Sequence, residues 1–120
     1  MATILIIDDE QSIRGLLKEV LEKAGYCVLE AGNGREGLAL YQKEPVDLVI
    51  MDMLMPDTDG LEATLQLTRE YVDAKVIAIT GAQGDRNFLD VATLFGACRT
   101  FEKPFDLNKL LQAVEEELAT

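Results

Sequence analysis

Histidine is absent from the sequence, and the two cysteines, Cys27 and Cys98, lie far apart without a CxxC spacing. Structural zinc sites are built from closely spaced Cys and His ligands, so the composition predicts no zinc site. One disulfide between the two cysteines is compatible with the sequence. Free thiols in a reducing cytosol are nevertheless the expectation, because disulfides are rare in that compartment.

Long apolar runs are also missing. No segment approaches the roughly 18 consecutive apolar residues that a membrane-spanning helix requires. The amino terminus has no basic region of the kind that begins a signal peptide. These features predict a cytoplasmic protein with no membrane partner.

Basic side chains are scarce: 11 Lys and Arg stand against 22 Asp and Glu, which gives a net charge of -11. Proteins that bind nucleic acid need Lys and Arg to neutralise phosphates, so the chain is not expected to bind nucleic acid directly. The same charge argues against docking on anionic membranes. A plainer interpretation is that the negative charge serves solubility.

The residues that are present suffice for one folded domain, predicted over 1–120. A chain of 120 residues with a hydrophobic fraction of 48% can bury a core of its own. The sequence shows no linker, no low-complexity segment and no repeat beyond an alternation of strand and helix patterns.

That alternation predicts the fold class. Apolar, β-branched segments predict strands over 3–7, 26–31, 46–51, 75–80 and 99–102. Helical spacing of apolar residues predicts helices from Ser12 to just before Gly25 and over 36–43, 61–71, 85–95 and 107–118. Ser12 or Asp9 is the expected cap of the first helix, and Leu61, Leu65 and Thr68 are expected to face inward in the third. Strand and helix in regular alternation indicate an α/β fold with a parallel sheet covered on both faces.

Polar side chains stand at the carboxyl ends of four of the predicted strands, the first, third, fourth and fifth: Asp8, Asp9, Asp52, Thr80 and Lys103. The carboxyl ends of parallel strands lie along one edge of a sheet, so these groups are expected to converge. Three nearby carboxylates repel one another, and one lysine cannot balance them. Oxygen ligands without His or Cys suit a magnesium ion, or manganese in its place.

The arrangement resembles the receiver domain of two-component response regulators, and the resemblance covers almost the whole chain. It is carried by Asp8-Asp9, by Met51-Asp52-Met53-Leu54-Met55-Pro56 with Gly60 following, by Thr80-Gly81 and by Lys103-Pro104-Phe105. The family implies a flavodoxin-like, doubly wound sheet of five parallel strands in the order 2-1-3-4-5, with five flanking helices.

The resemblance also implies a role for each site residue. Asp52 would be the phosphoacceptor, Asp9 a direct metal ligand, and Asp8 a ligand acting mostly through water. The carbonyl of Leu54 would be a backbone ligand of the metal. Thr80 would donate to the phosphoryl group, and Lys103, before a cis peptide bond to Pro104, would pair with it.

The family further implies a signalling partner on each side. A histidine kinase or a histidine phosphotransfer protein would donate the phosphoryl group. A downstream protein, or an output domain outside this sequence, would respond to it. Many receivers have an aromatic switch residue three positions before the lysine, but Thr100 occupies that position here. Phe101 follows it and is expected to face the opposite side of the strand, which puts the aromatic switch in doubt.

Four other interpretations are weaker. The chain could keep the receiver fold as an interaction module without phosphorylation, or it could be a magnesium-dependent phosphohydrolase. The stretch 32–37 matches the GxGxxG dinucleotide fingerprint, but it lies in the second strand-helix unit, at the expected edge of the sheet. The stretch 57–60 resembles the DxDG of haloacid dehalogenase-type phosphatases, but it does not directly follow a strand.

Overall fold

The computed structural model describes residues 1–53, 60–80, 93 and 96–119. Its strands are β1 (Thr3–Ile7), β2 (Cys27–Ala31), β3 (Leu48–Asp52), β4 (Val76–Thr80) and β5 (Arg99–Glu102). Its helices with defined bounds are α1 (Gln11–Lys23), α2 (Gly34–Lys43), α3 (Gly60–Glu70) and α4 (Leu107–Leu118). All strand pairs are parallel and the order is β2-β1-β3-β4-β5, so the predicted topology is confirmed. The helix predicted over 85–95 falls largely outside the described residues.

The core lies on both faces of the central strands. Every residue of β3 and β4 is buried, as expected for strands with neighbours on both edges and helices on both faces. One face packs against α3 through Ala63 and Leu67. The other packs against α1 and α4 through Leu17, Leu21 and Leu110.

The beginning of α1 differs from the prediction. Its N-cap is Glu10, whose side chain makes no capping hydrogen bond, and neither Ser12 nor Asp9 caps it. Asp8 Oδ1 instead accepts a hydrogen bond from the Glu10 backbone N–H at 2.9 Å. The helix therefore starts directly beside the end of β1, and its first residues lie at the predicted site.

The start of α2 and the buried face of α3 also differ from the prediction. The Asn33 side chain accepts from the Glu36 backbone N–H, so α2 begins at Gly34 and not at the predicted Glu36. In α3, the fully buried residues are Thr64 and Leu67, with Ala63 nearly so. Leu65 and Thr68 are only partly buried, so the predicted inward face was wrong in its centre. The side chain of Leu61 lies outside the described residues.

Both cysteines are free, so a disulfide between them is excluded. Burial raises the pKa of the Cys98 thiol to about 11, and the neighbouring Glu117 carboxylate adds to the effect. Within the described part of the chain, no helix combines the length and the apolar character needed to cross a bilayer.

Gly60 lets α3 start against the end of β3. A Cβ at this position would lie 2.3 Å from the Asp52 carbonyl oxygen and 2.6 Å from the Met53 Cα. We expect Gly60→Ala to lower the free energy of unfolding by about 2 kcal/mol, because backbone atoms would have to move. Urea unfolding measures the change.

Gly15 provides the matched control for this prediction. It lies in α1, and a Cβ there meets no atom of the described residues within 4 Å. Gly15→Ala should raise stability by roughly 0.5–1 kcal/mol, because alanine favours a helix over glycine. Equal effects of the two substitutions would contradict the packing argument.

Candidate functional site

Three carboxylates meet at the carboxyl edge of the sheet. Asp8, Asp9 and Asp52 each offer an oxygen, and these oxygens all lie within 4.8 Å of one another. Asp8 and Asp52 are 2% and 3% exposed, whereas Asp9 is exposed to solvent. The pairing of β1 with β3 brings them together, because Ile7 lies opposite Met51 at the end of the register. The predicted convergence of these side chains is confirmed.

The Lys103 side chain reaches into this cluster. Its Nζ lies 3.2 Å from Asp8 Oδ2, 3.1 Å from Glu10 Oε1 and 3.8 Å from Asp52 Oδ2. Burial works against the charged ammonium, but the carboxylates of Asp52 and Asp8 and the hydrogen bonds to Glu10 and Asp8 outweigh it, so the pKa of Lys103 is raised. The ammonium is therefore a fixed positive charge facing the acids.

The backbone around Lys103 is held by the neighbouring strand. The Lys103 N–H donates to the Thr80 carbonyl oxygen at 2.6 Å, which places the residue after β5 beside the end of β4. The peptide bond to Pro104 is cis, as the resemblance predicted.

Thr80 presents a buried hydroxyl at the end of β4. The residue is fully buried, and its Oγ1 has no hydrogen-bond partner among the residues that the structure describes. A buried hydroxyl left unsatisfied costs about 1–3 kcal/mol, so such a group suggests a ligand that it would contact. Its position at the end of β4 is the one predicted from the sequence.

Two site residues were missed by the sequence interpretation. Glu10 accepts a hydrogen bond from Lys103, and Arg14 Nη1 donates to the Asp8 carbonyl oxygen at 2.6 Å. Arg14 is itself held by Glu30, whose Oε1 lies 3.4 Å from Arg14 Nε. Both residues lie in or next to the first turn of α1. Glu10 could have been suspected from the sequence because it directly follows Asp8-Asp9. Its contact with Lys103 could not, because the two residues are 93 positions apart.

The donor set fits a hard divalent cation. Carboxylate oxygens from Asp8, Asp9 and Asp52 converge, with no nitrogen or sulfur ligand among the groups that the structure brings together there. Asp9 is open to solvent, which suits magnesium because that ion keeps several of its waters. The backbone ligand expected from Leu54 lies outside the described residues.

Thr100 and Phe101, at and after the expected switch position, lie on opposite sides of β5. Thr100 is opposite Ala78 in the register, whereas Phe101 is opposite Ile79. Phe101 packs on the cluster shared with α1 and α4, and its ring lies 6.5 Å from that of Phe105 in an edge arrangement. The aromatic ring thus faces away from the side of Thr100, as alternation predicted.

The glycine-rich stretch 32–37 has a structural explanation. It follows β2, which is the edge strand of the sheet, as expected. A Cβ at Gly37 would lie 2.2 Å from Ile7 Cδ1, so this glycine allows α2 to pack closely on β1. The edge position does not favour dinucleotide binding. In the DxDG-like stretch, Asp57 and Asp59 lie outside the described residues.

Comparison with known proteins gives concordant matches. The family model for the response regulator receiver domain matches residues 4–115. Sporulation initiation phosphotransferase F of Bacillus subtilis (strain 168) is 38% identical over 115 residues, covering 96% of this chain and 92% of that protein.

Solved structures agree with these matches. A CheY-like response regulator receiver domain protein from Methanospirillum hungatei JF-1 has a TM-score of 0.93 and 30% identity, covering 99% of this chain and 94% of that one. The response regulator protein TrrA of Thermotoga maritima, in complex with Mg²⁺-BeF, has a TM-score of 0.88 and 36% identity, covering 98% of this chain and 99% of that one.

Proposed function

The chain belongs to the response regulator receiver domain family, and we propose that it is a phosphorylatable switch of a two-component system or phosphorelay. Asp52 accepts a phosphoryl group from a histidine kinase or a histidine phosphotransfer protein. The domain, 1–120, modifies only itself and does not turn over a substrate. A downstream protein or an attached output domain responds to the change.

One observation carries this proposal. A buried carboxylate, Asp52, lies among two further acids and 3.8 Å from a lysine ammonium, at the end of a central strand. A carboxylate can act as a covalent nucleophile towards phosphorus. Phosphoryl transfer requires chiefly positioning and neutralisation of charge, and both are available around this side chain.

The transfer step is a displacement at phosphorus. An Asp52 carboxylate oxygen bonds to phosphorus as the P–N bond to the donor imidazole breaks. The electron pair leaves with the imidazole nitrogen, which takes up a proton. Acetyl phosphate can replace this donor, in which case a P–O bond breaks and the electron pair leaves with acetate. In hydrolysis, water oxygen bonds to phosphorus, the bond to Asp52 breaks, and its electron pair restores the carboxylate.

The surrounding residues supply the environment for that step. Lys103 faces the added charge as an ammonium, and the Thr80 hydroxyl, which has no hydrogen-bond partner within the described residues, donates to a phosphoryl oxygen. Asp8, Asp9 and Asp52 would hold magnesium, or manganese in its place, together with the Leu54 carbonyl that the family resemblance implies. The bound ion supplies positive charge that offsets the phosphoryl oxygens and the three acids. TrrA, a relative solved with Mg²⁺-BeF, supports this choice of ion.

The output follows from a shift between two states. A phosphoryl group that contacts Thr80 and Lys103 favours the state in which those contacts form. Thr80 and Thr100 form the relay, which ends at the surface of β5 and α4. Because Thr100 replaces the aromatic residue usual at its position, the relay works without an aromatic ring there.

Phosphorylation with and without metal tests the proposal. We expect the protein to gain the mass of one phosphoryl group from acetyl phosphate in magnesium, as a hydroxylamine-sensitive acyl phosphate. Removal of the ion with a chelator should lower the rate at least about 100-fold, because the charge it supplies is lost. Intact-protein mass spectrometry measures both. No modification in magnesium with any donor would contradict the proposal, and sustained turnover of phosphorylated metabolites would favour a phosphohydrolase.

A further inference from the structure

The Glu10 carboxylate contacts the site at Lys103, whose Nζ donates to its Oε1. We infer that Glu10 is a positioning residue: its carboxylate restrains the Lys103 ammonium and so lowers the rate at which Asp52 is phosphorylated. This inference rests on the proposed function, because it concerns the lysine that pairs with the phosphoryl group.

The distances around the ammonium carry the argument. Lys103 Nζ is within hydrogen-bonding distance of Glu10 at 3.1 Å and of Asp8 at 3.2 Å, but it is 3.8 Å from Asp52. An ammonium has three N–H donors. Two of them are therefore used on Asp8 and Glu10, which hold the ammonium away from Asp52. A phosphoryl group on Asp52 that draws the ammonium closer has to break the contact with Glu10.

Glu10 is suited to this role by its place in the fold. Its backbone N–H is fixed by Asp8 Oδ1, and its side chain makes no capping hydrogen bond to α1. The Glu10 side chain is 55% exposed, whereas Lys103 is 14% exposed. The exposed Glu10 carboxylate can turn into solvent and give up its contact with Lys103 at little cost. Asp8 cannot do so, because it is buried and belongs to the acidic cluster.

The expected effect is moderate because the pair is partly exposed. An exposed ion pair contributes little, and its loss should speed phosphorylation about threefold. Glu10→Gln removes both the charge and the strong contact. Glu10→Asp keeps the charge, but its side chain is one methylene shorter and no longer reaches Lys103 from the same backbone position. If the contact between Glu10 and Lys103 is what slows phosphorylation, both variants should show the same increase in rate.

A charge-matched control separates the effect of this contact from the effect of removing one negative charge from the protein. Glu22 lies exposed in α1 and forms no ion pair within the described part of the chain. Glu22→Gln removes one negative charge without touching the site. Initial rates with acetyl phosphate at saturating magnesium, and the affinity for beryllofluoride from an NMR titration, are measured for all four proteins. Thermal unfolding checks that each is folded, and Glu10→Asp decides alone if Glu10→Gln is unstable.

The outcomes are distinct. About threefold faster labelling and tighter beryllofluoride binding in both Glu10 variants, with Glu22→Gln unchanged, supports the inference. A gain in Glu10→Gln alone, an equal gain in Glu22→Gln, or no gain in any variant overturns it. If the wild-type protein itself accepts no phosphoryl group, the proposed function fails; if it does, only the role of Glu10 is at stake.

Discussion

Asp52→Asn should abolish phosphorylation, with a loss of at least about 100-fold in the labelling rate. Asparagine has nearly the same volume as aspartate, but its neutral amide cannot attack phosphorus as a carboxylate does. Asp52 is 3% exposed at the end of a fully buried strand, so no other side chain can take its position without moving the strand. Intact mass after reaction with acetyl phosphate in magnesium gives the result directly.

Asp73→Asn is the matched control for that experiment. Asp73 lies exposed in the turn before β4, at the opposite end of the strands from Asp52. The chemical change is the same, and it should leave the rate of labelling within about twofold of wild type because surface substitutions rarely disturb a distant site. Full labelling of Asp52→Asn, at a residue identified by peptide mapping, would refute the assignment of the phosphoacceptor.

The convergence of Asp8, Asp9 and Asp52 with Lys103 could be predicted because it depends on topology alone. Once the strands are parallel, their carboxyl ends share one edge, whatever the details of side-chain packing. The strand order could not be obtained from spacing, and it came from the resemblance to a family. The observed strand pairing confirms the parallel sheet and its strand order.

What the sequence could not give depends on contacts between distant residues. Glu10 reaches Lys103 across 93 positions, and that contact exists only because α1 starts beside the end of β1. Arg14 donates to a backbone carbonyl, which no side-chain pattern can reveal. The inward face of α3 was predicted at Leu61, Leu65 and Thr68, whereas the buried residues are Ala63, Thr64 and Leu67, so the predicted face was rotated around the helix axis.

Lys103→Met should raise the affinity for magnesium and lower the rate of phosphorylation, which separates the two properties. The ammonium lies near two buried carboxylates, so it repels any cation that those carboxylates hold. Its removal should raise the affinity for magnesium by about tenfold, as measured by calorimetry. The same change should lower the rate of phosphorylation about 100-fold, because the phosphoryl group loses its fixed cationic partner.

Two variants make this expectation decisive. Lys109→Met removes an exposed lysine of α4 and should leave magnesium affinity and labelling within about twofold of wild type. Lys103→Arg keeps the charge but not the compact ammonium, so it should keep the wild-type metal affinity while restoring only part of the rate. Without magnesium, Lys103→Met should also lose about 3 kcal/mol of stability, because Asp8 and Asp52 stay buried without the lysine ammonium. A variant that binds magnesium no more tightly, or that is labelled at the wild-type rate, would show that Lys103 does not share the electrostatic field of these acids.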